Sequence, residues 1–246
     1  MKAEPKQGRS RRQVEGDAHF FQNPWQMEKL FNHLQFWEDT KQRDPAALMA
    51  CDEALLITGS GVPVMRFYRW SAPAVTFGYA QRIEAVRTSA RGLPLMRRWS
   101  GGGLVFHGND LTLGLAIPVT EAAAFGSSRD IYRSIHEGLL TAIQNITPAA
   151  RLVLPEECRC GPVCFESPVA FDIISGSSKI CGGALRRSKA GVLYQGSLHL
   201  PGAIALEIAR SLAREVSEFQ NAALIESAVD GLVASKYGSP DWLALR

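Results

Sequence analysis

The stretch Arg97-Arg98-Trp99-Ser100-Gly101-Gly102-Gly103-Leu104-Val105-Phe106-His107 narrows what this chain can fold into more than any other. Three consecutive glycines are costly in backbone entropy, so they mark a place where side chains would obstruct a close approach. Backbone N–H groups next to two arginines make a seat for a carboxylate or phosphate. The same residues also suit a glycine-rich turn between two strands, and the rest of the chain has to decide between the two.

The chain has 246 residues, enough to bury a full core. Its 27 basic and 24 acidic residues leave a formal net charge of +3, which argues against a dedicated nucleic-acid binder. No apolar run is long enough to span a bilayer. Lys2, Lys6, Arg9, Arg11 and Arg12 are not followed by an apolar core, so the N-terminus does not read as a secretory signal. Glu4, Glu15 and Asp17 count against an organelle transit peptide. Residues 1–26 read as a disordered basic leader and residues 27–246 as a single domain. Five cysteines, an odd count without an export signal, point to a reduced, cytoplasmic protein.

Met27, Leu30, Phe31, Leu34 and Trp37 fall at helical spacing and predict a short amphipathic helix over 27–38. Asp44-Pro45 opens a stronger helix, with Asp44 as cap and Pro45 in the first turn. Within it Cys51 reads as core and Asp52 as an inward-facing anchor. Strands are predicted over 64–70, 74–79 and 94–99, with a helical segment over 81–92. Residues 104–107 and 111–118 read as a hairpin around Gly108-Asn109-Asp110. Ile131, Ile135, Leu139 and Ile143 mark an amphipathic helix over 127–146, capped by Ser127 or Ser128. Strands follow over 169–174, 179–187 and 192–200, then a helix whose face carries Ile204, Ile208, Leu212 and Val216. A further helix runs to about Tyr237. This order predicts one α+β domain with a mainly antiparallel sheet packed with helices.

Two later stretches carry chemistry. Cys158, Cys160 and Cys164 lie within seven residues. They suit a zinc site only if a fourth ligand comes from elsewhere, and they equally suit a loop of buried thiols or one nucleophilic cysteine. Lys179 leads into the apolar, glycine-paired stretch Ile180-Cys181-Gly182-Gly183-Ala184, which draws it inward. A lysine held there can pair with an anion or exchange protons with a thiol.

The order of these pieces is specific. Asp52-Glu53-Ala54-Leu55-Leu56 is followed by Arg66 to Gly78, then by Arg97-Arg98-x-Ser100-Gly101-Gly102-Gly103-x-Val105-x-His107. After these come Cys164-Phe165-x-x-Pro168-x-x-x-Asp172, Lys179-Ile180-x-Gly182-Gly183-Ala184-x-Arg186-Arg187 and Gln195-Gly196-Ser197. Over roughly residues 44–200 the chain resembles the lipoate–protein ligase A and octanoyltransferase superfamily, whose catalytic domain is shared with biotin–protein ligase. The resemblance implies that catalytic-domain fold. It implies substrate-binding roles for Arg98, Ser100, Gly101, Gly102, Gly103 and His107, which line the acyl pocket in the family. Lys179 matches the family's essential lysine, and Asp172, Gly182, Gly183 and Arg186 match pocket or nucleotide-contacting positions. Gln195 stands where many relatives carry His, and Cys181 and Gly183 where many carry Ser, departures that fall at the family's nucleotide contacts.

Cys164 separates the subclasses. Ligases of the family make an acyl-adenylate from ATP and Mg²⁺ and need no thiol. Ligase-like octanoyltransferases form an acyl-thioester on a cysteine in a C-F-x-x-P loop and require no cofactor. The chain also leaves no room for the extra C-terminal domain that many ligases carry. The resemblance thus implies a transferase, with Cys164 as nucleophile and Lys179 tuning it, that moves an octanoyl or lipoyl group. An ATP-dependent lipoate–protein ligase is the alternative, and a zinc-binding module a further one. The implied acceptors are lipoyl domains of 2-oxoacid dehydrogenases or the glycine cleavage H protein, with acyl carrier protein as donor. Neither nucleic acid nor membrane is implied as a partner.

Overall fold

The computed structural model describes residues 29–59, 61–158, 168–200 and 204–245. The leader expected over 1–26, and Cys160 and Cys164, lie outside the described residues. The chain opens with β1 (Phe31–Asp39), α1 (Pro45–Ile57), β2 (Val64–Tyr68), β3 (Ala74–Phe77) and the short α2 (Ile83–Arg87). β4 (Leu95–Arg97), β5 (Val105–His107), β6 (Leu111–Pro118), α3 (Val119–Ala122) and α4 (Ser128–Ile143) follow. The second half holds β7 (Ala150–Leu152), β8 (Ile173–Ser175), β9 (Ser178–Ser188), β10 (Gly191–Leu198), α5 (Ala205–Leu212) and β11 (Ala213–Glu218). It ends with α6 (Ala222–Leu232), a π-turn over 233–237 and α7 (Pro240–Ala244).

Eight strands form one sheet in the order β11-β1-β2-β6-β10-β9-β8-β7, and β4-β3-β5 form a smaller one. β1 runs parallel to both its neighbours, while β2, β6, β10, β9, β8 and β7 pair antiparallel in turn. The sheet is therefore mainly antiparallel, as the sequence led us to expect.

Helices cover both faces of the large sheet. On one, Ile131, Ile135 and Leu139 of α4 and Ile208 and Leu212 of α5 pack against Phe31, Phe67, Leu113 and Ile117. Gly138 makes this close packing possible, since a Cβ there would overlap the Leu212 side chain. On the other face α1 is buried from Leu48 to Leu56 between the sheet and α6, where Ile225 and Val229 meet it. Both long helices start as their caps predict. Asp44 Oδ1 accepts Ala47 N–H at 2.8 Å, and Ser127 forms a capping box with Asp130.

Three expectations are corrected. Residues 31–39 form a strand, not a helix, because Phe31 and Leu34 enter the core through a strand paired on both sides. The helix over 204–216 stops at Leu212, and Ala213–Glu218 become β11 along β1. β5 and β6 do not make a hairpin. β5 pairs with β3 in the small sheet, while β6 lies between β2 and β10 in the large one.

Candidate active site

A pocket opens where the small sheet faces the middle of the large one. It encloses about 440 Å³ of empty space, counted out to its mouth and including open solvent there. Met49 of α1, Tyr68 of β2 and Thr112 of β6 line it together with Thr76, Val105 and His107 from the small sheet. Gly182, Gly183, Ala184, Gln195, Gly196 and Ser197 of β9 and β10 form the facing wall, with Lys179 and Arg98 beside them. Ser197 lies opposite Gly182 in the ladder, and Gly196 opposite Gly183. The glycines thus remove side chains from the centre of that wall.

Lys179 lies across this glycine gap. A Cβ on Gly182 would overlap Lys179 Cε and Nζ. The ammonium pairs with Asp172 at 2.8 Å, with the lysine side chain 4% and the aspartate side chain 0% exposed. The carboxylate also accepts Val169 N–H at 2.7 Å and the Tyr132 hydroxyl at 2.5 Å. Asp172 follows Phe171, whose φ of 72° is in the left-handed region that bulky residues avoid. Phe171 N–H bonds to Val153 and Asp172 N–H to Val169, which hold this backbone in place.

The arginine–glycine stretch is built differently from a bare anion seat. Arg98 donates to Thr76 Oγ1 at 2.6 Å and to the Gly101 and Gly103 carbonyls at 2.9 and 2.8 Å. The three glycines curl around this guanidinium, and Gly102 takes a φ of 85°. Gly78 packs directly on their backbone, where a Cβ would collide with Gly101 and Gly102. Arg97 points away from the pocket and donates to the carbonyls of Tyr79, Gln81, Trp242, Leu243 and Leu245.

His107 stacks on Trp70 with centroids 4.1 Å apart. Its Nδ1 is 2.8 Å from Asp110 and its Nε2 2.8 Å from Thr76 Oγ1. Burial would raise the Asp110 pKa, yet hydrogen bonds from His107, Ser197 and Gly108 N–H hold the carboxyl well below the usual range. Burial pushes His107 below its ordinary value against the pull of Asp110. A neutral His107 beside an ionised Asp110 carries its proton on Nδ1. Nε2 then accepts from Thr76, whose oxygen is free to receive the Arg98 N–H.

Of the expected site residues, Arg98, His107, Lys179, Gly182 and Gly183 line the pocket. Ser100 sits buried behind it, donating to Gln195 Oε1 at 2.6 Å. Gly101, Gly102, Gly103 and Asp172 shape its rim through Arg98 and Lys179. Arg186 lies beyond the lining, its guanidinium over the rings of Tyr79 at 4.5 Å and Trp99 at 5.4 Å. Cys158 is exposed, and its two companion thiols lie outside the described residues. Among the described residues no group of three or more His, Cys, Asp or Glu could hold a metal ion.

A family model described as the lipoyl protein ligase A/B catalytic domain matches residues 44–229, about three quarters of the chain. The chain belongs to the lipoyl protein ligase A/B family. It is 32% identical over 177 residues to the octanoyltransferase LipM of Staphylococcus aureus, covering 65% of this chain and 63% of that protein. It is 30% identical to the octanoyltransferase LipM of Kyrpidia tusciae, covering 68% and 67%. The match thus spans less than two thirds of the length of the first of these relatives and about two thirds of the second. Among solved structures, a lipoate–protein ligase A bound with ATP aligns with a TM-score of 0.66 at 20% identity, over 87% of this chain and 98% of that one. A chain from a structural analysis of a bi-partite lipoate protein ligase and its E2 lipoyl domain from Thermoplasma acidophilum aligns at 0.60 and 20% identity, over 89% and 98%. These likenesses show the lipoyl ligase fold, as the motif order implied.

Sequence reasoning missed several site residues of this family member. Tyr132 sits one position off the apolar stripe of α4, and its partner His136 follows at i+4. That pairing of polar aromatics on one helix face was a usable signal. Met49, Thr76 and Thr112 carried none, since only the folded chain brings α1, β3 and β6 together.

Proposed function

We propose that this protein is a cysteine-dependent acyltransferase of protein lipoylation, moving an octanoyl group through a Cys164 thioester onto a lysine of a lipoyl domain. The observation that carries the reading is Lys179, buried against Asp172 at the wall of a pocket whose centre is cleared by glycines, in a chain about 30% identical to octanoyltransferases. Arg98, Ser100, Gly101, Gly102, Gly103, His107, Gly182 and Gly183 shape the acyl site, and Asp172 holds the lysine. Arg186, stacked on Tyr79 and Trp99, flanks its outer side.

The first step needs a thiolate, and an ordinary cysteine with a pKa near ~8.5 is mostly protonated at neutral pH. A nearby ammonium favours the anion. The Cys164 sulfur attacks the donor thioester carbonyl, a new S–C bond forms, and the donor thiol departs with a proton. The acceptor lysine then attacks as a free amine. Its N–C bond forms, the Cys164 S–C bond breaks and the thiol is restored. One thioester replaces another in the first half, so no ATP is consumed. The donor in this reading is octanoyl-acyl carrier protein. The acceptors are lipoyl domains of 2-oxoacid dehydrogenases or the glycine cleavage H protein. A reduced, cytoplasmic setting belongs to this reading and rests on the odd count of five cysteines. Among the described residues no helix is long and apolar enough to cross a membrane.

Incubation with octanoyl-acyl carrier protein tests the reading. The expected result is a protein heavier by one octanoyl group, labile to hydroxylamine and absent from Cys164→Ala. No adduct on the unaltered protein, or an undiminished adduct in Cys164→Ala, overturns it. Transfer of lipoate to a lipoyl domain only with ATP and Mg²⁺ would establish the ligase route instead.

A further inference from the structure

The hydroxyl of Tyr132 ties three elements together. It donates to Asp172 Oδ1 at 2.5 Å and accepts Gly183 N–H at 3.0 Å. The second contact stands in for a missing strand. The β8–β9 ladder reaches only as far as Ile173 opposite Cys181. Beyond it, Tyr132 takes the Gly183 N–H that a longer β8 would have received. Both ends of the Asp172 carboxylate are therefore fixed. Oδ1 faces Tyr132, and Oδ2 faces Val169 N–H at 2.7 Å and Lys179 Nζ at 2.8 Å.

The tyrosine is itself immobilised. Its ring stacks on His136, one helical turn along α4, with centroids 4.0 Å apart and planes 25° apart. His136 Nε2 in turn lies 2.8 Å from Tyr194 Oη. Tyr194 packs under Gly183 and Gly196, where a Cβ on either would strike its ring or hydroxyl. Burial holds the Tyr132 hydroxyl well above its ordinary pKa, so it stays a donor to the carboxylate.

We propose that Tyr132 is a positioning residue for Lys179, acting through Asp172 to hold the ammonium over Gly182 at the wall of the pocket. Its catalytic consequence rests on the reading of Lys179 given above. Its structural consequence does not. A carboxylate anchored at Oδ2 alone can turn about its terminal torsion, and the lysine turns with it. The Tyr132 hydroxyl removes that freedom and keeps the edge of β9 in register with the helix.

Trace acetylation by acetic anhydride, read peptide by peptide by mass spectrometry, reports on Lys179 directly. Exposed Lys41 and Lys189 serve as internal references for reagent reactivity, and part-buried Lys236, paired with Glu53 at 2.6 Å, reports partial unfolding, which would raise it together with Lys179. Tyr132→Phe is expected to raise Lys179 labelling several-fold relative to the references and to lower octanoyl transfer by about tenfold in kcat with little change in donor KM. Asp172→Asn is expected to raise labelling similarly, and the double variant no further than the larger single effect. Unchanged labelling in Tyr132→Phe overturns the proposal, as do additive effects in the double variant or unchanged transfer in an active enzyme. If the unaltered protein transfers no octanoyl group while the labelling pattern holds, the positional role of Tyr132 stands and the transferase reading falls.

Discussion

Ser100 donates a 2.6 Å hydrogen bond to Gln195 Oε1, joining the end of the arginine–glycine stretch to the middle of β10. The amide nitrogen of Gln195 donates onward to Asp52 Oδ2 at 2.8 Å. Asp52 is fully buried in α1, where Arg66 and Tyr68 also donate to it. Gln195 therefore bridges the glycine loop and the helix behind the pocket with one acceptor and one donor. Gln195→Leu keeps the volume and removes both, leaving Asp52 short of a donor in a place where burial already raises its pKa. The expected loss is about 1–3 kcal/mol of stability, read by urea unfolding. Gln195→Glu sets a second carboxylate against Asp52 and is expected to lose more.

Arg97 fastens the C-terminal segment. Its guanidinium reaches three carbonyls from Trp242 to Leu245 and two near Tyr79, and Trp242 Nε1 donates back to the Arg97 carbonyl at 3.1 Å. Arg97→Ala is expected to cost about 3 kcal/mol. Arg97→Lys does not restore it, because an ammonium lacks the planar fork of five donors. Limited proteolysis checks the location: cleavage within 240–245 should precede global unfolding in both variants.

How much of this was legible beforehand depends on where each signal was stored. Local chemistry was readable: Asp44 and Ser127 cap the helices they were expected to cap. The motif order pointed to the fold and named Lys179 and Asp172 separately, whereas their ion pair emerges only in the fold. β1 was not legible, because Phe31 and Leu34 are three residues apart, a spacing that shares one face of a helix but falls on opposite faces of a strand. What makes them a strand is pairing with Val64–Tyr68 and Ala213–Glu218, segments far away in the chain. Val216 continues the four-residue spacing of Ile204, Ile208 and Leu212, yet long-range pairing with β1 places it in β11. The paired arginines suggested an anion seat because an arginine's partners cannot be read locally. In the fold both donate to backbone carbonyls.

Gly182 tests whether the lysine's seat matters apart from the fold. A methyl group there would overlap Lys179 Cε and Nζ and approach Asp172 Oδ1 to 3.0 Å. The far end of a lysine is flexible, so the backbone need not shift, but moving the ammonium weakens its buried pair with Asp172, and stability should fall by about 1–3 kcal/mol. The ammonium must move by roughly an ångström or more. Displacement on that scale costs about 100-fold in rate. Gly182→Ala is thus expected to stay folded with a moderately lowered Tm and to transfer octanoyl groups far more poorly than that loss of stability explains. Full activity would show that the observed Lys179 position is dispensable.

His136 makes stability depend on acid. Burial, and then the nearby positive charge of Lys179, push its pKa from the ordinary 6.5 down to about 3. The native state holds it neutral, whereas the unfolded chain takes up a proton as pH falls below about 6.5. The unfolded state then binds more protons, so stability is complete above that value and declines between about pH 6.5 and about pH 3, by on the order of 1 kcal/mol per pH unit. Carboxylates contribute their own losses at the lower end, so the contribution of His136 is isolated by His136→Gln, which keeps a side-chain amide near the Tyr194 hydroxyl and cannot titrate. Thermal melts at pH 7 and pH 5 should show a smaller drop in Tm for His136→Gln than for the unaltered protein. Equal drops would mean that His136 is reachable by protons without unfolding, contrary to its burial between Tyr132 and Tyr194.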